Sequence, residues 1–128
     1  AKSIPLDQEM ARQNGDAHYI VARKGRKLYM DNPICVGVKS ITTEKDQKLY
    51  VDQEEMEQMR GKRILIVDDV ISTGRSLQAL EEIAAAAGAD VVGKMAVLAE
   101  GDAASRTDIS YLEKLPLFNG KGEPLPFD

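Results

Sequence analysis

The stretch from Arg63 to Leu77, RILIVDDVISTGRSL, limits what this chain can fold into more than any other. The aliphatic run Ile64–Val67 suits a strand buried on both faces of a parallel sheet. Two carboxylates, Asp68 and Asp69, follow at the expected end of that strand. A small polar loop, Ser72 to Ser76, comes next. Behind it Leu77, Leu80, Ile83, Ala84 and Ala87 recur at helical spacing, and Gly88 marks a stop. The order is strand, acidic edge, loop, helix.

The chemistry of that order follows from general rules. Ligands of parallel α/β sheets bind beyond the carboxyl ends of the strands. Carboxylates placed there accept hydrogen bonds from sugar hydroxyls, or hold waters of a hard cation such as Mg²⁺. The first N–H groups of the following helix, together with its dipole, favour an anion. Gly74 lets backbone approach a ligand, and Ser72, Thr73 and Ser76 add hydroxyls. A diol on one side and a phosphate on the other describe a sugar phosphate. The alternatives are an acidic surface turn, or the Asp-Asp strand end of a Mg²⁺-binding receiver domain.

The whole string resembles the phosphoribosyl pyrophosphate (PRPP) signature of type I phosphoribosyltransferases, with Arg75 where many members have glycine. The resemblance implies an α/β, parallel-sheet fold with a flexible hairpin loop and a small hood. It implies that Asp68 and Asp69 hold the ribose and Mg²⁺, and act in catalysis. It places the sugar's phosphate on Ile71, Ser72, Thr73, Gly74, Arg75 and Ser76, with Val70 and Ile71 supporting the base.

Composition narrows the function further. A chain of 128 residues is one domain at most. Its net charge of −4 argues against a general nucleic-acid binder. The absence of Trp argues against a stacking platform for single strands. A single cysteine, Cys35, excludes an internal disulfide and fits a reducing cytoplasm. Within Ile34-Cys35-Val36 it reads as a buried small hydrophobe. No apolar run reaches membrane-spanning length. The lone histidine, His18, rules out a histidine metal cluster or triad.

Along the chain, Leu6 to Asn14 reads as a helix with Pro5 in its first turn, Gly15 as its stop, and Leu6, Met10 and Ala11 as its buried face. Ala1-Lys2-Ser3 resembles the end of the family's pyrophosphate loop. On that reading, residues 1–128 form a single domain lacking the first strand and part of the hood. His18 to Ala22 reads as a strand. The basic cluster Arg23, Lys24, Lys27 resembles the family's pyrophosphate-binding segment, which in some relatives serves the neighbouring subunit; a solvated charged face is the alternative. Ile34–Ile41 and Lys48–Asp52 read as a hairpin, with Thr42, Thr43, Glu44 and Lys45 at a mobile tip that the resemblance closes over substrate. Glu44 then lies near the base. Gln53 to Arg60 reads as a helix packed through Met56 and Met59. Val91 to Ala99 reads as a core strand, followed by the polar loop Glu100–Arg106 on the side of the site. Tyr111 to Phe118 resembles the closing hood strand of adenine phosphoribosyltransferases, and Gly120 to Asp128 reads as a poorly ordered tail.

The function implied is a cytoplasmic, homodimeric purine phosphoribosyltransferase, most like the adenine enzymes. It would use Mg²⁺ to join a free base to PRPP, giving a nucleoside 5′-monophosphate and pyrophosphate. Lys2 and Lys27 join Arg23 and Lys24 against the leaving pyrophosphate. The rival is a regulator of the same fold that binds PRPP without turnover. Neither nucleic acid nor membrane is an expected partner.

Overall fold

The computed structural model describes residues 3–16, 18–25, 27–28, 30, 33–38 and 47–127. Helix α1 spans Ile4–Asn14 and ends on Gly15, whose φ of 77° places it in the left-handed region. None of its residues is buried, so the expected apolar face of Leu6, Met10 and Ala11 is only half covered. The helix start is pinned instead by Ser3, which is buried and donates its hydroxyl to Asp7 over 3.2 Å.

Strands β1 (Pro33–Val38) and β2 (Gln47–Asp52) pair antiparallel, from Pro33 opposite Asp52 to Val38 opposite Gln47. The expected hairpin is therefore formed, while its tip, residues 39–46, lies outside the described residues. Cys35 is exposed, not buried as its apolar neighbours suggested, because the two-stranded ribbon leaves that position facing solvent. No strand forms over His18–Ala22. Only Arg23 reaches the ladder, exchanging two backbone hydrogen bonds with Tyr50 at 3.0 and 2.7 Å. Ile20 and Ala22 nevertheless pack on the core, so the segment has the apolar content of a strand without its ladder.

Helix α2 (Gln53–Met59) starts directly from β2, with the Asp52 carboxylate accepting from Gln53 N–H at 3.0 Å. Met56 and Met59 are buried, as their spacing predicts. Strand β3 (Arg63–Ile71), helix α3 (Arg75–Ala87) and strand β4 (Asp90–Glu100) form a right-sized β-α-β unit with β3 and β4 parallel. Strand β5 (Ser110–Leu115) also runs parallel to β4, giving the order β3-β4-β5. The segment read as a hood strand is thus an edge strand of the sheet that carries β3. A short 3-10 turn, Gly101–Ser105, links β4 to β5.

Helix α3 joins the two halves of the core. Ala79, Ile83 and Ala87 pack with Leu49, Val51, Met56 and Met59. Leu77, one turn from the helix start, packs with Ile66, Ile71, Ala96, Ala99 and Ile109 of the sheet side. The sheet is covered by α3 on one face, whereas Leu65 stays 43% exposed and Val92 49%. The aliphatic run of β3 is therefore buried on one face only. The tail is ordered against expectation: Leu117, Asn119, Glu123 and Leu125 close a tight turn through backbone hydrogen bonds of 2.9 Å (Asn119 N–H to Glu123) and 2.6 Å (Leu125 N–H to Leu117).

Candidate functional site

The carboxyl end of β3 turns into α3 through Ser72, Thr73 and Gly74. Gly74 stands at the helix N-cap with φ of 83°, a conformation that glycine adopts without the Cβ penalty. Gly74 has no side chain to cap the helix, and the first turn contains no acid. The helix dipole favours a negative group at this end. Thr73 Oγ accepts weakly from Arg75 N–H at 3.5 Å, and Gln78 N–H closes the first helical turn on the Gly74 carbonyl at 2.9 Å.

The acidic pair is placed differently from the sequence expectation. The β3 ladder does not stop at Val67; it continues through Asp68, opposite Ala96, to Ile71, opposite Ala99. Both aspartates thus lie inside the strand, half-buried, rather than past its end. Their carboxylates accept the next backbone N–H along the chain, Asp69 N–H to Asp68 and Val70 N–H to Asp69, each at 2.9 Å. Those bonds satisfy backbone donors and let the acids remain in extended chain. Burial, then the hydrogen bond and like charge of Asp69, push the Asp68 carboxyl up to about 6. The binding of a cation would relieve the repulsion between two adjoining carboxylates of this kind.

Of the other expected site residues, Ile71 is 3% exposed and packs with Leu77, so it is core and not a platform for a base. Val70 is half-buried opposite Leu98, Arg75 is half-buried, and Ser76 is exposed. Lys24 and Lys27 are exposed. Arg23 is drawn to β2 by its backbone bonds, and with Tyr19, Val21 and Glu55 it lines a shallow cavity of about 280 Å³. That cavity belongs to the β2–α2 side and includes neither aspartate. Lys2 and Glu44 lie outside the described residues.

Sequence reasoning missed how the connection after β4 grips the loop. Glu100, the last residue of β4, accepts the Ser72 hydroxyl at 2.8 Å. A Cβ built on Gly74 would lie 2.6 Å from Arg106 Nη1. The available signal was position: a polar loop leaving a strand parallel to β3 must emerge at the same edge.

The sequence from residue 18 to 121 matches the family of phosphoribosyl transferase domains. The chain belongs to that family. Among its relatives, the hypoxanthine/guanine phosphoribosyltransferase of Methanococcus voltae is 33% identical over 106 residues, covering 83% of this chain and 52% of that protein. The xanthine phosphoribosyltransferase of Geobacillus thermodenitrificans is 35% identical over 75 residues, 58% of this chain and 38% of that protein. The chain thus spans about half or less of these two relatives. The crystal structure of adenine phosphoribosyltransferase from Rhodothermus marinus superimposes with a TM-score of 0.75 at 20% identity, over 90% of this chain and 65% of that one. The phosphoribosyltransferase fold expected from the β3–α3 string is therefore present.

Mg²⁺ is implied by the family resemblance, and the residues fit it in one specific way. Among the described residues no group of three or more acidic, His or Cys side chains converges as a metal cage. A cation that keeps its waters and uses one or two carboxylates plus substrate oxygens suits the Asp68–Asp69 pair. Among the described residues, no helix is long and apolar enough to cross a membrane.

Proposed function

We propose that this chain carries the PRPP site of a purine phosphoribosyltransferase. The observation behind the reading is the β3–α3 junction, where two half-buried carboxylates precede a glycine-turned helix start with no acid in its first turn. Backbone N–H groups of the loop Ser72 to Ser76 and the hydroxyls of Thr73 and Ser76 anchor the sugar's 5′-phosphate. Asp68 and Asp69 accept the ribose hydroxyls and orient the ring. With the sugar held at both ends, its anomeric carbon passes through an oxocarbenium-like state between base and pyrophosphate. Lys24 and Lys27, together with Lys2, supply positive charge for the departing pyrophosphate, in the same chain or in a second copy. Mg²⁺, when bound with PRPP, adds charge neutralisation on the pyrophosphate oxygens.

The base is a purine on this reading. The sequence relatives are named for hypoxanthine, guanine and xanthine, and the similar solved structure for adenine. Adenine, expected from the tail, rests on Tyr111 to Phe118, of which the structure makes Tyr111 to Leu115 a strand of the main sheet. The test is pyrophosphate release from PRPP and Mg²⁺ with each of adenine, hypoxanthine, guanine and xanthine. Release with one or more purines supports the proposal and assigns the base. PRPP binding with no release for any of them points to a regulator of the same fold.

A further inference from the structure

We propose that Arg106 is a side-chain ligand of the 5′-phosphate, reaching the loop from the turn after β4; this rests on the PRPP reading of the loop. Asp108 takes one edge of the guanidinium, Nε at 2.8 Å and Nη2 at 2.6 Å. The group is planar and offers five donors in a fixed fork, so the edge bearing Nη1 stays available to a second anion. That nitrogen is the atom lying against Gly74, at the helix N-cap. Glycine at this position is what lets the guanidinium come so close, since a Cβ would stand 2.6 Å from it.

Two surrounding features make the placement purposeful. Asp108 is itself held by Lys94 at 3.5 Å, and Lys94 pairs with Glu81 of α3 at 2.6 Å. The chain of alternating charges fixes Asp108, and through it the plane of the arginine, against the flank of α3. At the first residue of the loop, Glu100 brings a carboxylate to Ser72, at 2.8 Å from its hydroxyl. A negative group there disfavours a phosphate on the same loop unless a cation offsets it. Arg106 is a described cation in position to do so, and its side chain keeps 32% exposure, so a ligand can reach it.

Calorimetric titration of ribose 5-phosphate, and separately of pyrophosphate with Mg²⁺, into wild type, Arg106→Gln and Arg106→Lys tests this. The glutamine variant should bind ribose 5-phosphate about tenfold to a hundredfold more weakly, the size expected for hydrogen bonds to a charged group. Pyrophosphate affinity should stay within about twofold of wild type, since that ligand carries no sugar phosphate. The lysine variant retains charge, guarding against loss of fold, and should fall between the two. Unchanged ribose 5-phosphate affinity in both variants overturns the assignment. So does an equal loss for both ligands, which marks Arg106 as a general support of the loop. A wild type that binds neither ligand removes the PRPP reading itself, an outcome distinct from failure of Arg106 alone.

Discussion

Ser72 Oγ donates to the Glu100 carboxylate across 2.8 Å, linking the loop after β3 to the last residue of β4, 28 positions away. The bond joins two neighbouring parallel strands at their carboxyl ends, where the candidate ligand would sit. It holds the first residue of the loop while Gly74 turns into α3. The loop is therefore fastened to the sheet before any ligand arrives.

Removing that fastening should weaken binding more than folding. Ser72→Ala is expected to lower stability by about 1 kcal/mol, the net worth of a partly exposed hydrogen bond. It should raise the KM for PRPP by roughly threefold to tenfold, because the loop must then be ordered by the ligand itself. Urea unfolding and initial rates measure the two effects. Glu100→Gln keeps an acceptor for the hydroxyl and should be the milder change in stability.

The acidic pair predicts a pH dependence whose sign can be fixed. The fold raises Asp68 from 3.8 to about 6, so the folded state holds the proton more tightly than the unfolded chain. Its contribution to stability is complete below pH 3.8 and is lost as pH rises through about 6. Asp68→Asn cannot lose that proton. The variant should match wild type in melting temperature near pH 4 and exceed it above pH 6.5, in the absence of ligand. A parallel pair of melting curves across that window would place the carboxyl in an ordinary aqueous setting.

The basic segment makes a prediction about the leaving group. Lys27 is exposed, so its side chain is not part of the packed core. Lys27→Ala should slow turnover about tenfold to a hundredfold while leaving nucleoside monophosphate affinity nearly unchanged, since that product carries no pyrophosphate. Equal losses in both would make it a surface charge without a role in the reaction.

Much of this arrangement was legible in the residues, and the exceptions have physical causes. The β3–loop–α3 unit was readable because aliphatic run, acids, glycine and helical period all agree. Gly15 and Gly88 ended their helices in left-handed geometry, as their positions indicated. The strand end was misread because Asp68 and Asp69 looked like residues that leave a sheet; their carboxylates instead take the adjacent backbone N–H groups. Ile71 was read as facing a base, yet β3 extends far enough to turn it into the core beside Leu77. Tyr111 to Leu115 was assigned to a hood because composition cannot reveal register against β4. Glu100 and Arg106 were seen only as a polar loop, since their reach across to Ser72 and Gly74 depends on tertiary placement.

The claim that the acidic pair and the loop together hold PRPP is tested most directly by titrating PRPP with Mg²⁺ into wild type and Asp69→Asn in a calorimeter. Loss of a charged acceptor for ribose hydroxyls is worth roughly 1.5–3 kcal/mol. The account predicts affinity weakened about tenfold to a hundredfold, with a ligand-free melting temperature equal to or slightly above that of wild type because like-charge repulsion is relieved. Unchanged affinity, or a sharp fall in melting temperature without ligand, would contradict it and make Asp69 a structural residue of β3.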